Sequence, residues 1–228
     1  MSSNLPGRPP RFSREQLAQV AFGIADADGF DAVSMRRVAQ DLGAGTMTLY
    51  SYVRTKDELV ALMDDHLMGE LLVSADELAQ PWRDALSAIL HRTYRLRVQH
   101  PWSLTALRNA SPGGNAIRHA EQTLTALAGS PFSDEQKLVV MAVTDSFVDG
   151  HALRRAEVAA DQVHQAATGE GDAHLREMIA AGPYPQMRRN LAQLQGWRLE
   201  AAAWMDQTFE RGLSALLEGL VQQLAEPR

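Results

Sequence analysis

The chain has 228 residues, of which 45% are hydrophobic and 22% charged, a composition typical of a globular protein with a sizeable core. Its longest uninterrupted apolar run, Leu138 to Val143, is too short to span a bilayer, and the first residues lack the apolar segment of a signal peptide. The absence of cysteine excludes disulfides and thiolate metal sites. We therefore expect a cytoplasmic protein that makes no contact with a membrane.

The net charge of −6 is distributed unevenly along the chain. Residues 1–56 carry seven basic and five acidic side chains, a net charge of +2, whereas the remainder carries 15 basic and 23 acidic side chains, a net charge of −8. A basic N-terminal part attracts phosphate groups, and an acidic remainder keeps the rest of the molecule away from a duplex. Ordinary solvated surfaces would give the same pattern, so the charge alone does not decide the function.

The chain begins with a proline-rich segment and a helix. Residues 1–12 have few apolar side chains and predict a flexible basic arm, which either follows DNA through its arginines or touches nothing. Ser13 and Gln16 have the spacing of a capping box, so a helix begins here. Leu17 and Ile24 lie on its apolar face, and Gly29 favours its termination.

Residues 34–56, which read SMRRVAQDLGAGTMTLYSYVRTK, have the layout of a helix-turn-helix. Ser34 is a suitable N-cap for a helix that reaches about Asp41, and Gly43 suits the turn that follows. Short polar residues then mark the outer side of a second short helix: Thr46, Thr48, Tyr50 and Ser51. Such a helix can lie in the DNA major groove and present its side chains to base edges. The pattern favours a sequence-reading protein over an enzyme, the alternative being two packed helices joined by a glycine turn.

The rest of the chain also predicts helices. Thr55 is a suitable N-cap for a helix that runs past Met68, and Pro81 suits the first turn of one that reaches about His100. Further helices are expected at about Asn115–Leu127, from Ser133 to about Ala160, around His174–Ile179 and at about Gln195–Ala225. No strand pattern or internal repeat occurs, so the predicted fold class is all-α.

The segment from Phe12 to about Met68 resembles the DNA-binding domain of the tetracycline-repressor (TetR-like) family of bacterial regulators. The matching motifs are GF-x-A-x-SMRRVA at Gly29–Ala39, the turn Leu42-Gly43 and TLY-x-YV-x-x-K at Thr48–Lys56. The remainder is similar to the family's ligand-binding domain in layout, with one further echo in the sequence FVDG at residues 147–150. The resemblance implies a homodimeric repressor that binds operator DNA and releases it when a small molecule binds the C-terminal domain.

By position, the resemblance implies a set of DNA-binding residues at the helix-turn-helix. These are Arg36, Thr46, Met47, Thr48, Tyr50, Ser51, Tyr52 and Lys56. Arg36 matches an arginine that contacts bases or phosphate, although it could also be a solvated helix residue. Tyr50 and Lys56 match phosphate-contacting residues, residues 46–48 match the turn that faces the bases, and Ser51 and Tyr52 are expected on the same outer surface. Gly45 stands where a longer polar residue is common, which reduces the expected base contacts.

The helix from Ser133 and the last helix are predicted to form the dimer interface. Two long apolar helices from each subunit make a four-helix bundle, and a palindromic operator requires a two-fold symmetric protein. The residues expected at this interface are Val140, Phe147, Gly212, Leu213, Leu216 and Leu220. The alternative is that these helices only pack within one chain.

The effector is expected to bind among polar and aromatic residues of the C-terminal helices. The candidates are His66, Trp82, His91, Tyr94, Trp102, Leu107, Asn109, Met141, Asp145 and Asp149. Asp145 and Asp149 repel one another across one helical turn unless a ligand cation, an arginine such as Arg95 or solvent compensates. The seven histidines show no metal-binding spacing, so we expect neither a metal site nor a cofactor. None lies where the family's tetracycline-binding members hold their metal–drug complex, so tetracycline is not the expected ligand.

The sequence therefore predicts a ligand-responsive transcriptional regulator with three parts. Residues 1–12 form the arm, residues 13–56 the helix-turn-helix DNA-binding domain, and residues 57–228 an all-helical effector-binding and dimerisation domain. The expected partners are double-stranded operator DNA, a small-molecule effector and a second copy of the chain. Two alternatives stay open: a DNA-binding regulator without a small ligand, and a helical enzyme or binding module whose motif is coincidental.

Overall fold

The computed structural model describes residues 11–168, 172–190 and 201–225, with side chains described in these ranges except at 161–168, 172–176, 201–202 and 225. Over these ranges the chain is helical and contains no strand, which confirms the all-α prediction. The helices are α1 (Arg14–Asp28), α2 (Met35–Asp41), α3 (Thr46–Leu49), α4 (Lys56–Leu71), α5 (Ala75–Leu78), α6 (Trp82–Gln99), α7 (Ser103–Ala106), α8 (Gly114–Ala126), α9 (Asp134–Thr168), α10 (Asp172–Ala181), α11 (Pro185–Arg189) and α12 (Ala201–Leu220). A 3-10 turn at Phe30–Ala32 follows α1, and a π-helical turn at Val221–Ala225 follows α12.

Side-chain caps fix where the N-terminal helices begin, as predicted. The Ser13 hydroxyl accepts the Gln16 N–H at 3.1 Å, and the Gln16 side chain accepts the Ser13 N–H at 2.8 Å, which completes the capping box of α1. The hydroxyls of Ser34 and Thr55 cap α2 and α4 in the same way by accepting a backbone N–H three residues on. The chain leaves α1 at Gly29, which has a φ of 84°.

The helices pack into two compact units. Of the described residues, one unit holds those from Arg11 to Ile89 together with Trp102–Ala128, and the other holds Leu90–Pro101 together with those that follow Ala128. In the first unit, α4 packs against both α1 and α8. The buried face of α4 carries Leu59, Met63, Leu67 and Leu71 at four-residue spacing, each at most 1% exposed. This spacing places one apolar residue per turn on the same side of the helix.

Two polar clamps fix α8 to the region around α4. The Asp65 carboxylate accepts the backbone N–H of Asn115 at 2.7 Å, and the Asn115 side chain donates to the Asp65 carbonyl at 2.9 Å. The Gln122 side chain accepts the Val73 N–H at 3.0 Å and donates to the Val73 carbonyl at 2.9 Å. In each clamp, a side chain of one segment is hydrogen-bonded to backbone groups of the other. These bonds fix the position of α8 along α4, in addition to the apolar packing.

The second unit is built around the packing of α9 on α12. Phe209 of α12 is fully buried, and its ring stacks on Tyr94 with centroids 3.9 Å apart. The buried Thr144 of α9 donates its hydroxyl to the Val140 carbonyl at 2.8 Å, so this polar group is satisfied within its own helix.

Several helices in the second unit differ from the sequence-based prediction. Helix α9 runs to Thr168 rather than to about Ala160. The prediction ended where the apolar stripe ends, but residues 161–168 contain no glycine or proline, so the helix continues. Helix α10 is longer than the helix predicted around His174–Ile179, and α11, which begins with Pro185, lies between two predicted helices. The predicted start of the last helix near Gln195 and residues 1–10 of the predicted arm lie outside the described residues.

The compact units do not follow the predicted functional boundary at Lys56. Helix α4, assigned to the C-terminal domain, packs on α1 of the DNA-binding domain and belongs to the first unit. The division into residues 13–56 and 57–228 therefore stays a prediction about function. No helix in the described ranges is long and apolar enough to cross a membrane.

Two adjacent glycines at the start of α8 provide a test of this packing. A Cβ on Gly113 would lie 2.7 Å from the Cβ of Asp65, whose carboxylate is held by Asn115, whereas a Cβ on Gly114 would meet nothing within 4 Å. We expect Gly113→Ala to lower the free energy of unfolding by about 1–3 kcal/mol through overpacking. Gly114→Ala should be neutral or stabilising by up to about 1 kcal/mol, because alanine favours a helix. Urea unfolding followed by circular dichroism distinguishes the two, and equal stability of both variants would contradict the α4–α8 contact.

Candidate nucleic-acid interface

The turn between α2 and α3 is closed by backbone hydrogen bonds. Gly43 has a φ of 62°, and the Ala44 N–H donates to the Ala39 carbonyl at 2.8 Å, which ends α2. Helix α3 is one turn long, shorter than the predicted helix that includes Tyr50 and Ser51. Its position is fixed by Leu49 and Val53, which are 1% and 0% exposed.

The opposite side of α3 faces solvent. Met47 is 82% exposed and Tyr50 is 44% exposed, while Thr48 and Ser51 are also exposed and Thr46 is half-buried. The Ser51 hydroxyl donates to the Thr48 carbonyl at 2.6 Å, so its oxygen is left to accept a hydrogen bond. An apolar side chain as exposed as Met47 contributes little to the packing of the fold, so it is accessible to another molecule.

Tyr52 does not share this outer surface, contrary to the prediction. It is half-buried, and its hydroxyl accepts the Phe12 backbone N–H at 3.2 Å. The Phe12 ring lies edge-on to the Tyr52 ring, and Arg14 donates to the Tyr52 carbonyl at 3.1 Å. Tyr52 therefore attaches the start of α1 to the end of the helix-turn-helix.

The two adjacent arginines of α2 have different surroundings. Arg37 donates to Asp41 at 3.1 Å and to Asp28 at 2.9 Å, and these hydrogen bonds, the one to Asp41 first, raise the pKa of its guanidinium. Arg36 is exposed and makes no ion pair with any residue that the structure describes. Arg37 is thus engaged within the fold, whereas Arg36 is available to a ligand such as DNA.

Lys56, the first residue of α4, is exposed beside an aromatic ring. Its ammonium lies 5.0 Å from the centroid of the Phe30 ring, a cation–π contact. The sequence motif identified Lys56, but it did not indicate this contact with Phe30.

The effector candidates of the first unit do not form one site. His66 and Trp102 both lie edge-on to Phe22, and Trp102 donates its indole N–H to Asp26 at 2.8 Å. Trp82 is half-buried beside Arg83, Leu107 belongs to the core, and Asn109 is exposed.

In the second unit, His91 and Tyr94 of α6 both contact α12. Both rings contact Phe209; the Tyr94 hydroxyl donates to Asp206 at 2.9 Å, and His91 lies 2.8 Å from Glu210. Burial and the Asp206 carboxylate raise the pKa of Tyr94 above its usual range, so it stays a hydrogen-bond donor. The sequence-based prediction did not include Asp206 and Phe209 among the effector candidates. Their partners lie more than a hundred positions away, and no local sequence pattern indicates such contacts.

The carboxylates of Asp145 and Asp149 lie on α9 near an arginine, one of the alternatives left open by the sequence, although it is not the example Arg95. The compensating residue is Arg97, whose Nε lies 3.4 Å from the Asp149 carboxylate, whereas Arg95 is exposed. Loss of hydration and the neighbouring Asp149 raise the pKa of Asp145 to about 6, although Arg97 opposes the rise. Met141 on the same helix is half-buried. Among the described residues, no group of three histidine, aspartate or glutamate side chains is placed to hold a metal ion.

The residues predicted at the dimer interface differ in how far they are covered. Val140 and Leu213 are 0% and 3% exposed within the single chain, and Phe147 lies against the backbone of Gly212. Leu216 and Leu220 are half-buried. Among the described side chains of α9 and α12, the large apolar ones that stay exposed are Leu138, Val139, Leu153 and Trp204.

Comparison with known proteins places this architecture in a family. The model of the tetR family of bacterial regulatory proteins matches residues 19–63, and that of the tetracyclin repressor-like C-terminal domain matches residues 76–224. The chain belongs to the TetR family. Members of this family bind operator DNA and small-molecule effectors and form dimers. The chain is therefore a DNA-binding transcription regulator rather than an enzyme, as predicted.

Individual TetR-family proteins resemble the chain over nearly its whole length. The transcriptional repressor DrrR1 of Streptomyces coeruleorubidus is 32% identical over 97% of this chain and 82% of its own length. The crystal structure of the Streptomyces coelicolor protein ActR in complex with (S)-DNPA has a TM-score of 0.70 and 27% identity, over 94% of this chain and 99% of ActR. The structure of ActR with actinorhodin has a TM-score of 0.73 at 24% identity, over 95% of this chain and 98% of ActR.

The different surroundings of Arg36 and Arg37 predict different effects of their removal. We expect Arg36→Ala to weaken DNA binding by about threefold to tenfold, as for one lost charge-assisted contact, with an unchanged melting temperature. Arg37→Ala should lower the melting temperature, because Asp28 and Asp41 lose their partner. Fluorescence anisotropy and thermal unfolding measure the two effects. A loss of DNA binding for Arg37→Ala that exceeds the loss for Arg36→Ala would show that the roles are reversed.

The raised pKa of Asp145 predicts a pH-dependent stability. A carboxyl with a higher pKa in the folded than in the unfolded chain favours folding while it is protonated, and its ionisation costs stability as the pH rises from about 4 through about 6. Because this side chain is exposed to solvent, we predict the direction of the change in stability and not its size. We expect Asp145→Asn to raise the melting temperature more at pH 8 than at pH 4.5. A gain that is equal at both pH values would contradict the raised pKa.

Proposed function

We propose that this protein is a cytoplasmic repressor that binds a palindromic operator as a homodimer and releases it when a small-molecule effector binds its C-terminal helices. The observation that carries the proposal is the outward surface of α3. Met47, Thr48 and Tyr50 are exposed on it, while Leu49 and Val53 fix the backbone from the other side.

The chemistry of this surface suits base edges in the major groove. The Thr48 hydroxyl can donate to or accept from a base, and the Ser51 oxygen can accept from one. The exposed Met47 side chain can pack against the methyl group of thymine, the apolar mark of the major groove. Gly45 adds no side chain, so base contacts depend on residues 46–51.

Lys56, Arg36 and Tyr50 are the residues proposed to contact phosphate. A lysine in the first turn of a helix lies at the positive end of the helix dipole, where stability alone favours an acid. Asp57 and Glu58 in the same turn offset this cost. Placement of Lys56 there is better explained by a phosphate contact than by folding.

Homodimerisation is supported by the apolar residues that α9 and α12 leave exposed. Leu138, Val139 and Leu153 of α9 are 40–59% exposed, and Trp204 of α12 is 41% exposed. A second copy would bury them in a four-helix bundle and bring two recognition helices into one complex. Two-fold symmetry then matches the palindromic operator, with half-sites about 34–36 Å apart.

An effector is supported by relatives such as ActR, which has been crystallised with small molecules. The effector would act by a population shift, because it binds better to a form whose recognition helices no longer match the half-site spacing. Helix α4 is the proposed link, since it begins with Lys56 at the DNA surface and is clamped through Asp65 to α8. An effector that binds tightly but leaves operator affinity unchanged would exclude this mechanism.

The experiment that tests the proposal is selection of bound fragments from a genomic DNA library with the purified full-length protein, followed by titration of the enriched duplex across a salt series. We expect a short palindrome, two protein chains per duplex and a steep loss of affinity with salt. No enriched sequence, or binding that does not depend on salt, would reject DNA recognition by α3.

Two variants separate base reading from phosphate binding in this assay. Lys56→Ala should weaken binding to all sequences and lower the slope of log affinity against log salt by about one, whereas Thr48→Ala should relax specificity at one position per half-site. Lys137, the chain's other lysine, pairs with Asp134 in the second unit, so Lys137→Ala is the matched control and should bind normally. An equal loss for Lys56→Ala and Lys137→Ala would point to net charge rather than to a specific contact.

A further inference from the structure

A continuous set of aromatic contacts connects Trp102 to Lys56. The Lys56 ammonium lies 5.0 Å from the Phe30 ring, and the Phe30 ring stacks on Trp102 with centroids 6.0 Å apart and an interplanar angle of 12°. Trp102 also lies edge-on to Phe22, with centroids 4.9 Å apart, and donates its indole N–H to the Asp26 carboxylate at 2.8 Å. Trp102 is thus fixed on α1 by an aromatic contact and by a charge-assisted hydrogen bond.

We propose that Trp102 is a positioning residue for DNA binding, which acts through Phe30 to hold the Lys56 ammonium at the DNA surface. Trp102 itself contacts no DNA. The inference rests on the proposed function, because it assigns a role to Trp102 in the phosphate contact of Lys56.

Phe30 needs this support because its own segment fixes it poorly. It begins a 3-10 helix of three residues, preceded by Gly29 without a side-chain cap. The backbone of this segment is anchored by Val33, which is 1% exposed, but Phe30 itself is half-buried. The stack with Trp102 restricts the Phe30 ring to one orientation, and the ring in turn restricts the flexible lysine side chain.

The position of Trp102 in the chain connects the C-terminal domain to Lys56. Trp102 immediately precedes α7 and lies within the match to the family's C-terminal domain, residues 76–224, although it packs on α1. A displacement of this segment would reach Lys56 through two ring contacts, without any change in α2 or α3.

The test is a double-variant cycle that measures binding of the full-length protein to a fluorescent mixed-sequence duplex between about 50 and 200 mM salt. A phosphate contact contributes on any sequence, so the operator need not be known. We expect Trp102→Ala to weaken binding about threefold to tenfold and to lower the salt slope by up to about one, as for a lost phosphate contact. The variant with both Trp102→Ala and Lys56→Ala should bind no more weakly than Lys56→Ala alone.

Two further variants separate positioning from loss of folding. Trp102→Phe keeps a ring on Phe30 and should keep most of the salt slope. Phe30→Leu keeps an apolar side chain but removes the ring beneath Lys56, so it should reproduce the loss seen with Lys56→Ala even if Trp102→Ala fails to fold. Partial unfolding lowers the active fraction equally at every salt concentration, so it would leave the slope unchanged.

The outcomes are distinguishable. An unchanged salt slope for Phe30→Leu and Trp102→Ala, or losses that multiply with that of Lys56→Ala, would overturn the role of Trp102 while leaving the proposed function intact. Absence of salt-dependent binding by the unsubstituted protein would instead reject the proposed function itself.

Discussion

Burial of one face of α4 is the constraint on which the first compact unit depends. Leu59, Met63, Leu67 and Leu71 form an apolar stripe with one residue per turn, and this stripe is covered by α1 and α8. Burial of each such side chain stabilises the fold by about 1.5–3 kcal/mol, more than any surface contact of the DNA-binding region contributes. The same helix begins with Lys56, which is proposed to contact phosphate, and carries Asp65, which holds the start of α8. Its role in both explains why the compact unit extends beyond the helix-turn-helix.

The recognition element has little stability of its own. A helix of one turn, such as α3, does not form in isolation, because nucleation costs more than a single hydrogen bond returns. Burial of Leu49 and Val53 stabilises this helix, and Tyr52 attaches the end of the helix-turn-helix to the start of α1. The side chains that face solvent are consequently free of a role in folding. Met47 and Thr48, which are proposed to meet base edges, therefore contribute little to the stability of α3.

Sequence reasoning succeeded where the determinants are local. Ser13, Ser34 and Thr55 cap helices as predicted, because a capping hydroxyl acts on a backbone N–H three residues away. It also predicted that Thr48, Tyr50 and Ser51 face solvent, because helical spacing alone separates them from Leu49, whereas Thr46 of the same predicted set is half-buried. It was wrong about the surface of Tyr52, and it did not identify Arg97 as the arginine beside Asp149. Both contacts join residues distant in sequence, and no periodicity encodes which of several arginines or tyrosines the fold brings near.

The free energies of the contacts between helices limit how an effector could act. A coupling free energy of about 1–3 kcal/mol changes operator affinity by about 5- to 150-fold. One or two intramolecular hydrogen bonds, at about 0.5–1.5 kcal/mol each, supply a difference of that size. The first unit holds several contacts of this class between helices, including those of Asn115 and Gln122 on α8 and that of Trp102 on α1. Release of DNA therefore does not require repacking of the α4 core, whose side chains each contribute more than the coupling needs. An effector that alters one or two of these polar contacts, and leaves Leu59 to Leu71 buried, is sufficient.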